Sequence, residues 1–335
     1  LVKENWDKGI RLILQWMDEV ENVTAQSYYL LSSAYFQKED FVKARSNMET
    51  AIRLAEEEGY RPKENWYVLL AACFSELKDR KIIGAAYALE QQLGIYEILV
   101  NYYPKKMYFL QLAGTYQQMD REEDYMITLK AAHGKDLLDK EGEYLALAQL
   151  LLIKKNPYWA AQVLVSGQQK KVTIKDEDTG EEEVIPVLKD TEKNLKLLAD
   201  SWRMAQEIDK AIPVLEKAAK MSKDGDTYVL LGNLYLFEDR MKDSIRAIEA
   251  GLKKAKVKSR SQAQLVLGQA HFELQNFEEA KKQFRLAARD DNKRIKKTAN
   301  SWIKYAENEE IRVKNLALRR DFIQQSKAKT KAKNS

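Results

Sequence analysis

One pattern recurs along this chain and limits its fold more than any other feature. "YVLLGNLYLFEDRMKDSIRAIEAGL" (228–252) lies in register with "QLVLGQAHFELQNFEEAKKQFRLAA" (264–288). Tyr228 aligns with Gln264, Leu231 with Leu267, Gly232 with Gly268, Tyr235 with His271, Ser244 with Ala280 and Ile248 with Phe284. "LKLLADSWRMAQEIDKAIPVLEKAA" (195–219) supplies Leu198, Ala199, Trp202, Ala211, Leu215 and Ala218 at the same offsets. Upstream the series returns as Leu147, Ala148, Leu151, Ala160, Leu164 and Gly167, as Leu112, Ala113, Tyr116, Leu129 and Ala132, and as Tyr28, Leu31, Tyr35, Ala44, Met48 and Ala51. A unit that recurs at a fixed period cannot bury its own apolar face, so its stability comes from stacking on its neighbours.

The spacing has a steric logic. Small residues at the eighth and twentieth positions let two helices cross closely. Large residues at the fourth, seventh, eleventh and twenty-fourth fill the space between that pair and the next. With only 13 Gly and 5 Pro in 335 residues, little interrupts helix. The pattern resembles the tetratricopeptide repeat, a pair of antiparallel helices of about 34 residues. The expected fold is therefore all-α: a right-handed α-α superhelix with one short inserted β-hairpin.

Two departures mark the array. From Ala71 to Ala113 is 42 residues, so the second helix of that unit should run long, ending before Pro104. From Ala148 to Ala199 is 51 residues, and the excess holds "KKVTIKDEDTGEEEVIPVLKD". Val172 and Ile174 on one side, and Val184, Ile185 and Val187 on the other, predict a hairpin with Gly180 at positive φ. A calcium loop fails, because Thr179 precedes the glycine and Pro186 stands where the bidentate Glu belongs. The acidic residues Asp176, Glu177, Asp178, Glu181, Glu182 and Glu183 make the hairpin a candidate docking surface. The expected organisation is a partial repeat at 1–20, repeat units at 26–170 and 192–292, the hairpin at 171–188, capping helices at 293–325 and a disordered basic tail at 326–335.

Chemistry is sparse. There is no G-x-G-x-x-G, P-loop, G-x-S-x-G or H-E-x-x-H. His133 precedes Gly134 and reads as a helix-end cap. His271, in "GQAHFE", occupies the slot of Tyr35, Tyr116, Trp202 and Tyr235, which makes it a packing residue; Glu273 lies on another helix face. The single cysteine, Cys73, excludes an intramolecular disulfide. No catalytic residue, metal site or cofactor is expected, and the chain does not read as an enzyme.

Function should therefore lie in surfaces. The resemblance implies that the second, fifth, ninth and twelfth residues of each first helix line a concave face. Candidate groove residues are Gln149 and Leu152, Lys196 and Arg203, Asn233 and Leu236, and Gln269 and Phe272. Amides at the ninth position suit an extended peptide backbone, and bulky groups at the twelfth suit its side chains. A carboxylate clamp is not expected, since Lys196 is followed by Asp200. Charge is lopsided: residues 251–335 carry 22 Lys or Arg against 9 Asp or Glu, and residues 1–250 a net −8. The basic clusters "KKAKVKSR" and "KRIKK" lack interleaved aromatics, which disfavours nucleic acid and favours a solvated rim that meets acidic protein or anionic lipid.

"NWYVLLAACFSELKD", "YPKKMYFLQLAGTYQQMDREE", "EYLALAQLLL", "TEKNLKLLADSW", "DKAIPVLEKAAK" and "SWIKYAENEE" together resemble tetratricopeptide proteins encoded beside ExbB, ExbD and TonB-type energy-transduction genes in gammaproteobacteria, over roughly residues 60–310. That resemblance implies a periplasmic accessory of TonB-dependent uptake that acts by protein contact, with the hairpin as a departure. The start at Leu1 fits an expected upstream segment, a signal peptide or anchor. The alternative is a cytoplasmic co-chaperone or assembly factor.

Overall fold

The computed structural model describes residues 2–175, 180–254 and 256–333. They form two compact units, 1–150 and 151–335, which divide within one helix. The first unit holds α1 (Val2–Glu19), α2 (Ala25–Gln37), α3 (Phe41–Glu57), α4 (Glu64–Asp79), α5 (Ala85–Tyr102), α6 (Lys106–Gln118) and α7 (Glu122–Gly134), and most of α8 (Glu141–Ile153). In the second lie α9 (Pro157–Gln169), β1 (Lys171–Lys175), β2 (Glu182–Pro186), α10 (Glu192–Met204), α11 (Ile208–Met221), α12 (Asp226–Phe237), α13 (Met241–Leu252), α14 (Arg260–Glu273), α15 (Phe277–Ala287) and α16 (Lys293–Lys333). Sixteen helices and one hairpin among the described residues make an all-α repeat array.

The last two helix pairs are clasped at the eighth and twenty-fourth positions. A Cβ on Gly232 would stand 2.3 Å from Ile248 Cγ1, and one on Gly268 2.5 Å from the Phe284 ring. The eighth and twentieth positions also exchange a hydrogen bond in either direction. Ser32 Oγ donates to the Ala44 carbonyl at 2.6 Å, and Ser244 Oγ to the Gly232 carbonyl at 2.7 Å. Buried hydroxyls are thus satisfied where the backbones approach most closely.

The turns within pairs are closed by a recurring set of main-chain bonds. Glu39, Lys81, Asp120, Lys155, Gln206, Asp239 and Gln275 take left-handed φ values between 56° and 64°. Behind them one N–H reaches back five residues to the eleventh-position carbonyl. Arg121 donates to Tyr116 at 2.9 Å, Glu207 to Trp202 at 2.9 Å, and Arg240 to Tyr235 at 2.8 Å. These are Schellman closures made without glycine.

In the first unit α5 runs 18 residues, which accounts for the long step there. Tyr29 stacks on Trp66 at 5.4 Å, joining α2 to α4. In the second unit β1 and β2 pair antiparallel from Lys171↔Pro186 to Lys175↔Glu182, and Gly180 has φ 73°. The hairpin is rooted by Val187 N–H to the Lys170 carbonyl (2.8 Å) and Leu188 N–H to the Gly167 carbonyl (2.9 Å).

The C-terminus differs from expectation. In place of several capping helices and a structureless tail, α16 is one helix of 41 residues through Lys333. Neither Gly nor Pro occurs in it, and its Ala, Lys, Gln and Arg are strong helix formers. Ala299 and Ala306 are fully buried, and with Trp302, Ile303 and Val313 they pack on α14 and α15.

An ion triad fastens this cap. Lys281, on α15 and only 7% exposed, reaches Glu278 at 2.7 Å and Glu310 of α16 at 2.8 Å. Hydrogen bonds from Lys281 and Lys314 hold the Glu310 carboxyl down at about 2, below its usual 4.5. A depressed folded-state pKa adds stability that is present above about pH 4.5 and lost as pH falls toward 2. Thermal melts between pH 5 and 2.5 should therefore fall more steeply for the native chain than for Lys281→Met; equal slopes would show that the triad is not the acid-sensitive contact.

Candidate binding surface

A cleft of about 610 Å³ opens in the second unit beside α10, the start of α11, and α12. Its floor is apolar, from Ile208, Leu230 and Leu234, and its rim carries Arg203, Asp209 and Asn233. At one edge stands Phe237, 75% exposed, an unusual cost for an aromatic ring. The last turn of α10 ends at Met204, and the left-handed Gln206 directs α11 back along the cleft wall.

The polar groups are partly engaged. Arg203 Nη2 donates to Asp200 Oδ1 at 3.1 Å, a shallow contact that a stronger acceptor can displace. Asn233 Nδ2 donates to the Val229 carbonyl one turn back at 2.9 Å, so the amide oxygen is the group of this half-buried side chain left to accept. An amide poised beside an apolar floor can meet a peptide backbone while side chains enter below.

The groove residues read from sequence separate into two groups. Arg203 and Asn233 come together in this cleft. Lys196 lies on α10, paired with Glu192 at 3.3 Å. Gln149 is exposed on α8 with the half-buried Leu152 one turn on. Leu236 is packed against the core cluster of Ile248, Val266 and Leu267. Phe272 is 9% exposed and lies under α16, its ring 5.5 Å from Trp302 and 5.1 Å from Tyr305. Packing removes the Phe272 side chain from any open groove, because the cap needs an apolar floor there. Gln269 is half-buried on the same helix. Of the hairpin acids, Glu181, Glu182 and Glu183 are exposed, and Asp176, Glu177 and Asp178 lie outside the described residues.

Sequence reasoning missed the thirteenth position. Ile153, Met204 and Phe237 occupy it in three successive pairs, and all three are exposed. The signal was available: the first and third units carry Gln37 and Gln118 there, and the last Glu273.

The titratable groups have packing roles. Tyr116 donates to Glu97 at 2.8 Å and Tyr235 to Glu216, and burial with that bond pushes each phenol up to about 12. A cation from the following turn covers the same rings, Arg121 at 4.7 Å and Arg240 at 4.4 Å. His271 takes this slot in the last pair and faces Glu279 and Glu249. Burial outweighs both carboxylates and lowers its pKa below the usual 6.5, so the ring is neutral at pH 7. His133 sits edge-on to Tyr144 at 5.7 Å. Cys73 is fully buried, and burial raises its thiol to about 12, far from a reactive thiolate. Among the described residues no three His, Cys, Asp or Glu side chains gather as metal ligands.

A family model described as tetratricopeptide repeat matches residues 25–58 and 261–289. No curated protein matches the chain. Among solved structures, a tetratricopeptide repeat protein from Parabacteroides merdae is 14% identical, with a TM-score of 0.33 over 84% of this chain and 98% of that one. MamA is 18% identical, with a TM-score of 0.41 over 55% and 97%. YrrB, a TPR protein with an unusual peptide-binding site, is 11% identical, with a TM-score of 0.37 over 61% and 90%. Over those two matched segments the chain carries tetratricopeptide repeats.

Proposed function

We propose that the protein is a non-catalytic scaffold that holds an extended segment of a partner protein in the cleft beside α10, α11 and α12. The observation that carries this reading is the conjunction of apolar lining, the Asn233 amide and an exposed Phe237 in one cleft. Ile153 and Met204, exposed at the same position of the preceding pairs, offer a longer segment further apolar contacts. Exposed Glu181, Glu182 and Glu183 on the hairpin offer the partner a second, acidic contact.

The specific setting in this proposal is the periplasm, with the scaffold serving TonB, ExbB or ExbD-type components. Its support is the sequence resemblance over residues 60–310. A peptide selected from a display library on the full chain supplies the test of the cleft. Phe237→Ala should weaken it by about 30-fold, as expected when an aromatic anchor is lost, and Asn233→Ala by about fivefold. Affinity unchanged in both variants would remove the cleft from the reading. Cross-linking in envelope extracts tests the setting, and capture of cytosolic chaperones alone would replace it with the assembly-factor alternative.

A further inference from the structure

The helix α16 presents one exposed face whose composition the scaffold role does not use. Its buried side is set by Ala299, Trp302, Ala306 and Val313, which pack on α14 and α15. The opposite side carries Lys293, Lys297, Asn300 and Lys304, then Ile311, and the same line continues through Leu318 and Phe322, where residues 314–327 are exposed all round the helix. At about 3.6 residues per turn these positions form a single line, since Lys293 and Ile311 are about five whole turns apart. Lys293, Lys296, Lys297, Asn300, Ser301 and Lys304 do line one common depression. Ile311, Leu318 and Phe322 are 58%, 67% and 70% exposed.

Charge on this element is strongly one-sided. Residues 293–327 hold ten Lys or Arg against four Asp or Glu. Glu309 and Glu310 are engaged by Arg312, Lys281 and Lys314. Among the described residues Lys293, Lys296, Lys297 and Lys304 join no ion pair. The exposed stripe is therefore cationic at one end and apolar further along, with Arg312, Arg319 and Arg320 around the apolar part.

From this arrangement we propose that α16 lies along an anionic membrane surface, with Leu318 and Phe322 entering the headgroup boundary and the lysine row resting on lipid phosphates. At a membrane surface large apolar side chains are shallowly immersed and Lys and Arg stay at the headgroups; in α16 the two kinds follow one another along a single line, so each meets its own layer in turn. The long stems of Arg312 and Arg319 can lie along the apolar part with their guanidinium groups in the headgroup layer. A second copy is the weaker occupant, because pairing two such stripes sets lysine rows close together. An acidic protein groove would engage the lysine row but leave Ile311, Leu318 and Phe322 in water. No described helix is long and apolar enough to cross a membrane, so the contact is with the surface.

The test is co-sedimentation of the full chain with vesicles of phosphatidylcholine alone or mixed three to one with phosphatidylglycerol. Pelleting should occur with the anionic vesicles only and weaken as salt rises. Substituting Lys293→Ala, Lys297→Ala and Lys304→Ala together should weaken it by about 100-fold, at roughly fivefold per lysine. Leu318→Ser with Phe322→Ser should weaken it by about tenfold and leave a salt-sensitive remainder. All five side chains are exposed, so thermal melts of both variants should overlay the native one. Absence of pelleting on anionic vesicles, equal pelleting on neutral ones, or indifference to both variants would overturn the proposal. Binding of polyglutamate without vesicle binding would overturn it in favour of an acidic protein partner, and concentration-dependent dimerisation without vesicle binding in favour of a second copy.

Discussion

Replacing Phe284 with alanine is expected to destabilise the 151–335 unit by about 3–5 kcal/mol, the range for deleting a fully buried aromatic ring. Phe284 has no exposed surface. Its ring stacks on Trp302 at 5.5 Å and 19°, and its edge rests where Gly268 has no side chain. Truncation thus leaves a void that opens two interfaces at once, the clasp of α14 with α15 and the seat of α16. Urea unfolding followed by tryptophan fluorescence should show the loss, with Trp302 emission shifting to the red before the rest of the unit melts. Phe284→Leu, which keeps most of the volume, should cost well under half as much. A loss below about 1 kcal/mol for the alanine variant would mean that α16 is held by something other than this ring.

The same small change, glycine to alanine, should have opposite effects at two sites. At Gly225 a Cβ would meet the Gly251 carbonyl oxygen at 2.2 Å and Val257 Cγ2 at 2.6 Å. Its own N–H donates to the Lys256 carbonyl at 2.7 Å, so the backbone cannot back away without losing that bond. A cost of about 2–3 kcal/mol follows from overpacking against main chain. At Gly114, inside α6, a Cβ would meet nothing within 4 Å. There alanine should add about 0.5–1 kcal/mol, by raising helix propensity and narrowing the unfolded ensemble. Melts of the two variants side by side decide it, and a shift of the same sign in both would refute the argument from space.

Much of this was written in the local spacing. The small eighth and twentieth positions and the large twenty-fourth position announced the clasp, and Gly232 against Ile248 shows why: a side chain at one leaves no volume for the other. The hairpin was legible because β-branched residues flank a glycine that alone takes positive φ easily. Phe272 was not legible. Whether a twelfth-position residue is open or covered depends on what stacks next, and the last pair meets a cap that follows no repeat. The tail was misjudged for a related reason, since low complexity in Lys and Ala describes solvation as well as it describes helix. Phe237 was not legible either, because exposure of a thirteenth-position residue depends on what packs beside the last turn of its helix.

The turns within the pairs carry a further consequence. Because backbone bonds and left-handed φ values close them, no side chain there is needed to hold the helices together. Glu39, Asp120, Lys155, Gln206, Asp239 and Gln275 already differ in charge and size at one conformation. Mutational drift can thus rewrite the lettering at the helix-pair corners, Gln206 beside the cleft included, while the scaffold beneath stays constant, so that a change of partner and a change of stability need not be inherited together.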